Sequence, residues 1–299
     1  MRHDVAVVGG SFAGLSAALQ LARARRRVLV IDAGLPRNRY SSAAHGMLGH
    51  DGKSPAQILD EGRTQLLAYP SVEFVNATAT AAREHEGGFA LNLDDGSERN
   101  ASRLILATGI RDELPAIPGL HERWGMSVLH CPFCHGFEYA DRALGVLANH
   151  PLSAHQAGMI PDWGPTTYFT QARFEPDEAE AAHLARRGVT IERVPVVELL
   201  GAAPHLDGVR LADGRVIELA ALFTAPTSRM ASPLAEQLGC EFEDGPLGRY
   251  VRVDPMKATS VDGVFAAGDA AAAMQSAALA LAAGAMAGVG AYQSLLKAA

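Results

Sequence analysis

From Asp4 to Val8 the chain is apolar after its first residue and then breaks at Gly9 and Gly10. That is the pattern of a strand buried on both faces of a parallel sheet. The turn Gly9-Gly10-Ser11-Phe12-Ala13-Gly14 leads into an Ala/Leu-rich segment that predicts a helix to about Arg25. A second apolar run, Val28 to Ile31, ends on Asp32. Strand, turn, helix and strand make a βαβ unit. Residues 34–53 are rich in Gly, Pro, Asn, Ser and His and carry no apolar period, so they predict a long loop that is functional or mobile. A helix is predicted at 55–68, and strands at 72–80, 89–93 and 103–107, with a turn at Asp94-Asp95-Gly96.

Pro115, Pro118 and Gly119 mark a linker. Beyond it, from near Leu129, the α/β pattern starts again. Strands are predicted at 144–148, 167–170 and 189–194, helices at 153–160 and 176–187, and a hairpin around Asp213-Gly214. Gly245-Pro246-Leu247-Gly248 predicts the return linker, and residues 263–269 a strand ending on Gly268-Asp269 before an Ala-rich helix. No repeat of solenoid period is present. The predicted fold class is α/β, with two Rossmann-like, three-layer dinucleotide-binding domains, the second inserted in the first. The expected domains are residues 1–114 and 247–299 for the outer one and 115–246 for the insert.

Composition narrows this picture in three ways. With 299 residues, 48% hydrophobic and 20% charged, the chain is long enough for two globular domains. A net charge of −7 argues against nucleic acid, and the basic run Arg23, Arg25, Arg26, Arg27 falls where a helix ends, which suits the helix dipole. The apolar stretch 270–291 is built of Ala and Gly and interrupted by Gln275 and Ser276, so a buried helix is expected, not a membrane span. No secretory signal is visible, and three cysteines make no extracellular disulfide framework, so a cytoplasmic location is expected.

The chemistry concentrates in a few motifs. Gly9-x-Ser11-x-x-Gly14 is a variant dinucleotide fingerprint: a tight turn, close backbone approach to a pyrophosphate, and a helix N-terminus facing the anion. Ser11 replaces the usual middle glycine. Asp32 is placed to accept ribose hydroxyls, which favours FAD or NAD over a 2′-phosphate. Phe12 and Ala13 belong to the same turn, and Arg39 and His50 in the long loop are further candidate cofactor contacts.

Residues 259–269 resemble the C-terminal flavin motif of the two-dinucleotide-domain flavoproteins. That resemblance implies that Asp269 bonds the ribityl chain, Gly268 allowing the turn, with Gln275 and Ser276 at the following helix. Ala107-Thr108-Gly109 matches a third element of that pattern.

His130-Cys131-Pro132-Phe133-Cys134-His135 is the candidate redox centre. Two thiols at this spacing can close a disulfide, and local positive charge lowers a thiol pKa. Covalent haem attachment and a zinc site are the competing readings. The first normally follows export, and the second lacks another ligand cluster, so no metal is expected. Cys240 has no neighbouring thiol or histidine and reads as a buried cysteine.

The whole chain resembles the low-molecular-weight thioredoxin reductase family. The resemblance implies FAD as cofactor, a homodimer, and an inserted domain free to rotate. It also implies Cys134 as the flavin-side thiol and Cys131 as the interchange thiol. His135 stands where that family usually has an aspartate acting as proton donor and acceptor; an imidazole can do the same. His45, His50 and His130 are weaker site candidates that serve equally as structural loop histidines. The family's second fingerprint is degraded here: its glycine or alanine positions hold Ala148, His150 and Ser153, with Pro151 between, and only Arg173 remains of the arginine cluster for a 2′-phosphate. This combination looks closer to the family's dithiol oxidases, which pass electrons from a small dithiol to oxygen. A thioredoxin reductase-like enzyme fed by NADPH in an atypical site, or by a carrier such as ferredoxin, and a redox sensor are the alternatives. The expected partner is a small-molecule dithiol or a thioredoxin-like protein.

Overall fold

The computed structural model describes residues 2–297. The chain opens with β1 (His3–Val8), α1 (Phe12–Arg23) and β2 (Val28–Asp32), the predicted βαβ unit. After a loop come α2 (Pro55–Leu67), β3 (Val72–Asn76), β4 (Ala79–His85), β5 (Gly88–Leu93) and β6 (Glu98–Leu106). The single strand expected at 72–80 is therefore two. The Ala77 N–H turns to the Asp32 carbonyl and the Thr78 N–H to the Asp94 carboxylate, which breaks the run.

After β7 (Ile110–Glu113) the chain enters a second unit, formed by Asp112–Thr227 together with Tyr40–Ser54. Its elements are β8 (Val128–Leu129), the single turn α3 (Pro132–His135), β9 (Leu144–Leu147), α4 (Ser153–Met159), β10 (Thr166–Phe169), α5 (Glu178–Arg186) and β11 (Thr190–Glu192). A meander follows, β12 (Val196–Leu200), β13 (Gly208–Leu211) and β14 (Val216–Glu218), and then β15 (Ala221–Phe223). The parallel sheet runs β11-β10-β9-β15-β8. Leu144, Val146 and Tyr168 pack on one face with Ala154, Ala157 and Leu184 of the helices; Leu147, Phe169 and Leu222 pack on the other with Val196, Val209 and Leu211 of the meander. Helix, sheet and meander make the three layers of a dinucleotide-binding unit. Asp177 and Glu180 close a reciprocal capping box at the start of α5, which fixes where that helix begins.

The chain returns through β16 (Thr227–Met230), α6 (Leu234–Gln237), the hairpin β17 (Phe242–Gly245) and β18 (Gly248–Val251), β19 (Val264–Ala266) and α7 (Ala277–Lys297). The first unit comprises the chain up to Arg39, Pro55–Arg111 and the chain from Ser228 onward. This differs from the division at residue 246: Gly245 to Gly248 is a hairpin tip inside the first unit. The loop Tyr40–Ser54, expected with the flavin domain, groups with the second unit. It is also closed on itself, with Ala44 and Lys53 exchanging backbone bonds with Gly52, His50 and each other.

In the first unit β3, β2, β1 and β6 are parallel neighbours in that order. The far edge of β6 is shared: β5 runs antiparallel to its first half, and β19 parallel to Leu104, Ile105 and Leu106. Ala6, Val8, Leu29, Ile31, Leu104 and Leu106 face a core completed by Leu91, Leu234 and Val251. Val5, Val7, Val28, Val30 and Ile105 alternate to the other face and are fully buried. Both faces are covered, which is why the strands read as unbroken apolar runs.

Helix α7 is long and apolar enough to cross a bilayer by length and composition alone. Within the first unit it is buried along one stripe only. Ala280, Gly284, Ala287, Gly288 and Ala291 are covered, while Leu279, Met286, Val289 and Leu296 are exposed. The expected buried helix is thus one with a buried small-residue stripe and an exposed opposite face. That stripe packs on α1: a Cβ on Gly288 would fall 2.6 Å from the Ala17 carbonyl oxygen, and Ser16 Oγ donates to the Leu281 carbonyl at 2.7 Å.

Candidate functional site

In the first unit the candidate cofactor residues converge on the C-terminal ends of β1, β2, β6 and β19. The strand order reverses between β1 and β6, the switch point where open α/β sheets bind ligands. Gly9, at φ 106°, packs so tightly that a Cβ there would run into the Ala107 carbonyl. A side chain at Gly9 would therefore push the β1 and β6 ends apart. Ser11 is the N-cap of α1 without a side-chain cap bond, and Phe12, Ala13 and Gly14 form its first buried turn. The helix N-terminus is thus available to an anion. Asp32 accepts the Gly10 N–H at 3.0 Å and lies 3.4 Å from the Arg63 guanidinium.

Thr108 and Gly109 follow Ala107 at the end of β6, and Gly109 takes φ 68° with open space on its Cβ side. Gly268 packs on Ala13, and Asp269 is paired with Arg37 at 3.0 Å. Arg37 also donates to the Gln275 side chain at 3.3 Å, while Ser276 Oγ accepts the Leu279 N–H at the start of α7. Helix α7 begins eight residues after Asp269, with a short 3₁₀ turn at Gly268–Ala271 between. Arg39 donates to the Pro36 carbonyl at 2.9 Å. His50 belongs to the second unit, where its Nδ1 is buried without a hydrogen-bond partner among the described residues.

The degraded fingerprint of the second unit is closed by its own side chains. Ser153 Oγ, fully buried, accepts the backbone N–H of both Asn149 and His150 at 3.2 Å, and His150 Nδ1 accepts the Leu152 N–H at 3.2 Å. Pro151 has no N–H to offer. Donors that a pyrophosphate would use are engaged or missing. Burial lowers the His150 pKa, favouring the neutral ring that this acceptor role needs. Arg173 is exposed and stacks over Phe174.

Cys131 and Cys134 are joined as a disulfide, with Cα atoms 5.3 Å apart. Cys131 is the N-cap of α3 and Pro132 its first residue, a position where proline costs no hydrogen bond. Gln156 Nε2 donates 2.7 Å to the His130 carbonyl, bracing the backbone just before Cys131. Phe133 and Phe137 are exposed beside the disulfide, and Phe133 meets Trp163 edge-on. His135 is half-buried, and burial holds its pKa below the ordinary value, with Glu138 opposing and His45 adding to the shift. Its Nε2 lies 3.3 Å from Ser41 Oγ, and its ring meets that of His45 edge-on at 6.1 Å. His45 sits between two carboxylates, Asp51 at 3.6 Å and Glu138 at 3.4 Å. Cys240 is buried against Thr259, and burial raises its thiol pKa.

The chain matches the Pyridine nucleotide-disulphide oxidoreductase family over residues 3–147 and 170–287. The chain belongs to that family. Thioredoxin reductase tcpT of Claviceps purpurea (strain 20.1) is 32% identical over 278 residues, covering 89% of this chain and 86% of its own. Thioredoxin reductase sirT of Leptosphaeria maculans is 29% identical over 304 residues, covering 96% and 92%. The crystal structure of an oxidoreductase from Agrobacterium tumefaciens superposes with a TM-score of 0.95 at 49% identity, covering 99% of each chain.

The protein is an oxidoreductase of the thioredoxin reductase-like type, and FAD is its cofactor. The residues present fit that group: a helix N-terminus for the pyrophosphate, the Asp32 carboxylate for a ribose, and Asp269 and Gln275 held together by Arg37. Arg37, Arg63, Ser41, Glu138 and Gln156 were not legible as site residues. Glu138 lies in the short 3₁₀ turn Phe137–Tyr139, four residues after Cys134, and nearness in sequence was its available signal. Arg37 meets Asp269 across 232 positions, for which no local signal exists.

Proposed function

We propose that the protein oxidises a small-molecule dithiol to a disulfide through Cys131 and Cys134, with oxygen as the final acceptor and without NADPH at the second turn. The observation that carries this reading is the Ser153 hydroxyl on the Asn149 and His150 N–H groups, which spends the turn's donors internally. Bound FAD supplies the two-electron acceptor that reoxidises the cysteine pair and the route to oxygen.

His135 takes the proton of a substrate thiol, a task suited to a ring kept neutral by burial. The substrate thiolate attacks Cys131 Sγ; that S–S bond breaks and Cys134 leaves as thiolate. The second substrate thiol, deprotonated in turn, attacks the substrate sulfur of the mixed disulfide and releases Cys131. The substrate has lost two electrons and two protons, and the cysteine pair has gained the electrons. Exposed Phe133 and Phe137 favour an apolar substrate against the dithiol.

The test is an anaerobic titration of the yellow protein with dithiothreitol and separately with NADPH. Bleaching by the dithiol alone, reversed by air, is expected. Prompt bleaching by NADPH would overturn the reading and make the protein a reductase, whose partner would be sought among thioredoxin-like proteins.

A further inference from the structure

A serine hydroxyl has one proton, and at Ser41 its destination is clear: Oγ donates to the Ala43 carbonyl at 2.6 Å. The same oxygen stands 3.3 Å from Nε2 of His135. With its proton committed, the hydroxyl meets the imidazole as an acceptor, and only a protonated ring nitrogen can donate to it. We infer that Ser41 is a positioning residue that holds neutral His135 in the tautomer protonated at Nε2, leaving the Nδ1 lone pair as the base of the thiol chemistry. The role as base rests on the oxidase reading above; the tautomer assignment does not.

The loop Tyr40–Ser54 gives the contact its rigidity. Ala44 N–H bonds the Lys53 carbonyl at 2.8 Å, the Gly52 N–H bonds the Ala44 carbonyl at 2.9 Å, and the Gly46 N–H bonds the Asp51 carboxylate at 2.8 Å. His45 is thus held inside a closed segment, and Ser41 stands at its entrance, tied to it by the bond to the Ala43 carbonyl. The titratable groups facing His135 are His45 from this loop and Glu138 from the turn after α3, with Asp51 behind His45. When His135 takes a proton at Nδ1, the ring becomes a donor on both nitrogens. The Nε2–H···Ser41 bond is kept throughout, and the Glu138 charge favours the cation. Proton transfer then requires no reorientation of the ring, which is what a second hydrogen bond to a catalytic imidazole provides.

The full-length, FAD-loaded protein with ¹⁵N-labelled histidines tests this by NMR, His135 being assigned by its loss in His135→Asn. Above the titration of His135, Nε2 is expected to show a protonated shift and Nδ1 an unprotonated one. In Ser41→Ala the two shifts move toward each other, and Ser41→Thr, which keeps the hydroxyl, restores them. Anaerobic flavin bleaching by dithiothreitol slows about fivefold in Ser41→Ala, the worth of one hydrogen bond, and recovers in Ser41→Thr. A proton on Nδ1 in the unmodified protein, or shifts unmoved by Ser41→Ala, overturns the assignment. Should dithiothreitol leave the unmodified flavin oxidised, the oxidase reading and the role as base fall together, while the ¹⁵N pattern still decides the tautomer.

Discussion

Ser153 Oγ stands 3.2 Å from the His150 backbone nitrogen and accepts its N–H, in the turn where a nucleotide-binding relative would offer that N–H to phosphate. One hydroxyl thereby serves as the partner of two backbone donors, the second being the Asn149 N–H. Ser153→Ala should leave two half-buried N–H groups without this partner, at about 1 kcal/mol each. A melting temperature lower by about 2–4 °C per kcal/mol would follow. On the oxidase reading, NADPH binding by calorimetry should be undetectable in the wild type and the variant alike, since Pro151 still lacks a donor and His150 Nδ1 still takes the Leu152 N–H. Tight NADPH binding to Ser153→Ala would mean that the serine alone closes the site.

What was legible and what was not divides by the range of the interaction. The strand from Asp4 to Val8, Gly9 and the helix start at Phe12 are set by neighbours in sequence, and they stand where the pattern placed them. The turn signal at Gly245 to Gly248 was correctly a turn. A hairpin tip and a domain linker, however, use the same residues, and only β17–β18 pairing tells them apart. The break after Asn76 had no glycine or proline to announce it, because it is made by bonds to Asp32 and Asp94. His135 was legible as a chemical group. Its Ser41 partner was not, because the two are separated by 94 positions and Ser41 sits in a loop with no period to read.

Acid should weaken the protein through His135. Its folded pKa lies below the ordinary value of about 6.5, because burial disfavours the cation. Between that value and the depressed one, the unfolded chain binds the proton and the folded chain does not. Stability therefore rises with pH across this window and falls as pH drops through it. Urea midpoints measured across the window should show this slope in the wild type and a flatter one in His135→Asn. An unchanged slope would place the linkage elsewhere.

Helix α7 has no room for a side chain at Gly284, where a Cβ would run into the Ala13 carbonyl. Gly284→Ala must push α7 away from the first turn of α1, and overpacking of this kind costs about 1–3 kcal/mol. Because Ala13 lies in the turn beside Gly9, the expected result is a lower flavin-to-protein ratio after purification, along with the lower stability. Gly239→Ala, where no atom lies within contact distance of the new methyl, controls for the substitution: its positive φ adds backbone strain, but flavin content should hold. Full flavin content in Gly284→Ala would show that the helix pair yields without disturbing the fingerprint.

Asp32 does two jobs that one substitution separates. Its Oδ1 accepts the Gly10 N–H at 3.0 Å, which shapes the turn, and its carboxylate is the group suited to a ribose diol. Asp32→Asn keeps an acceptor oxygen for Gly10 but loses the charge and one of the acceptors for the diol. Asp32→Ala loses both. If the diol contact dominates, both variants weaken FAD binding by a similar tenfold or more, on the order of 1.5–3 kcal/mol for hydrogen bonds to a charged group. If shaping the turn dominates, Asp32→Asn retains flavin and only Asp32→Ala loses it. Equilibrium rebinding of FAD to the apoprotein, followed by quenching of flavin fluorescence, distinguishes the two. We expect the first pattern, because Gly9 is also held by its own N–H to the Ile31 carbonyl at 2.8 Å, so the turn does not depend on Asp32 alone.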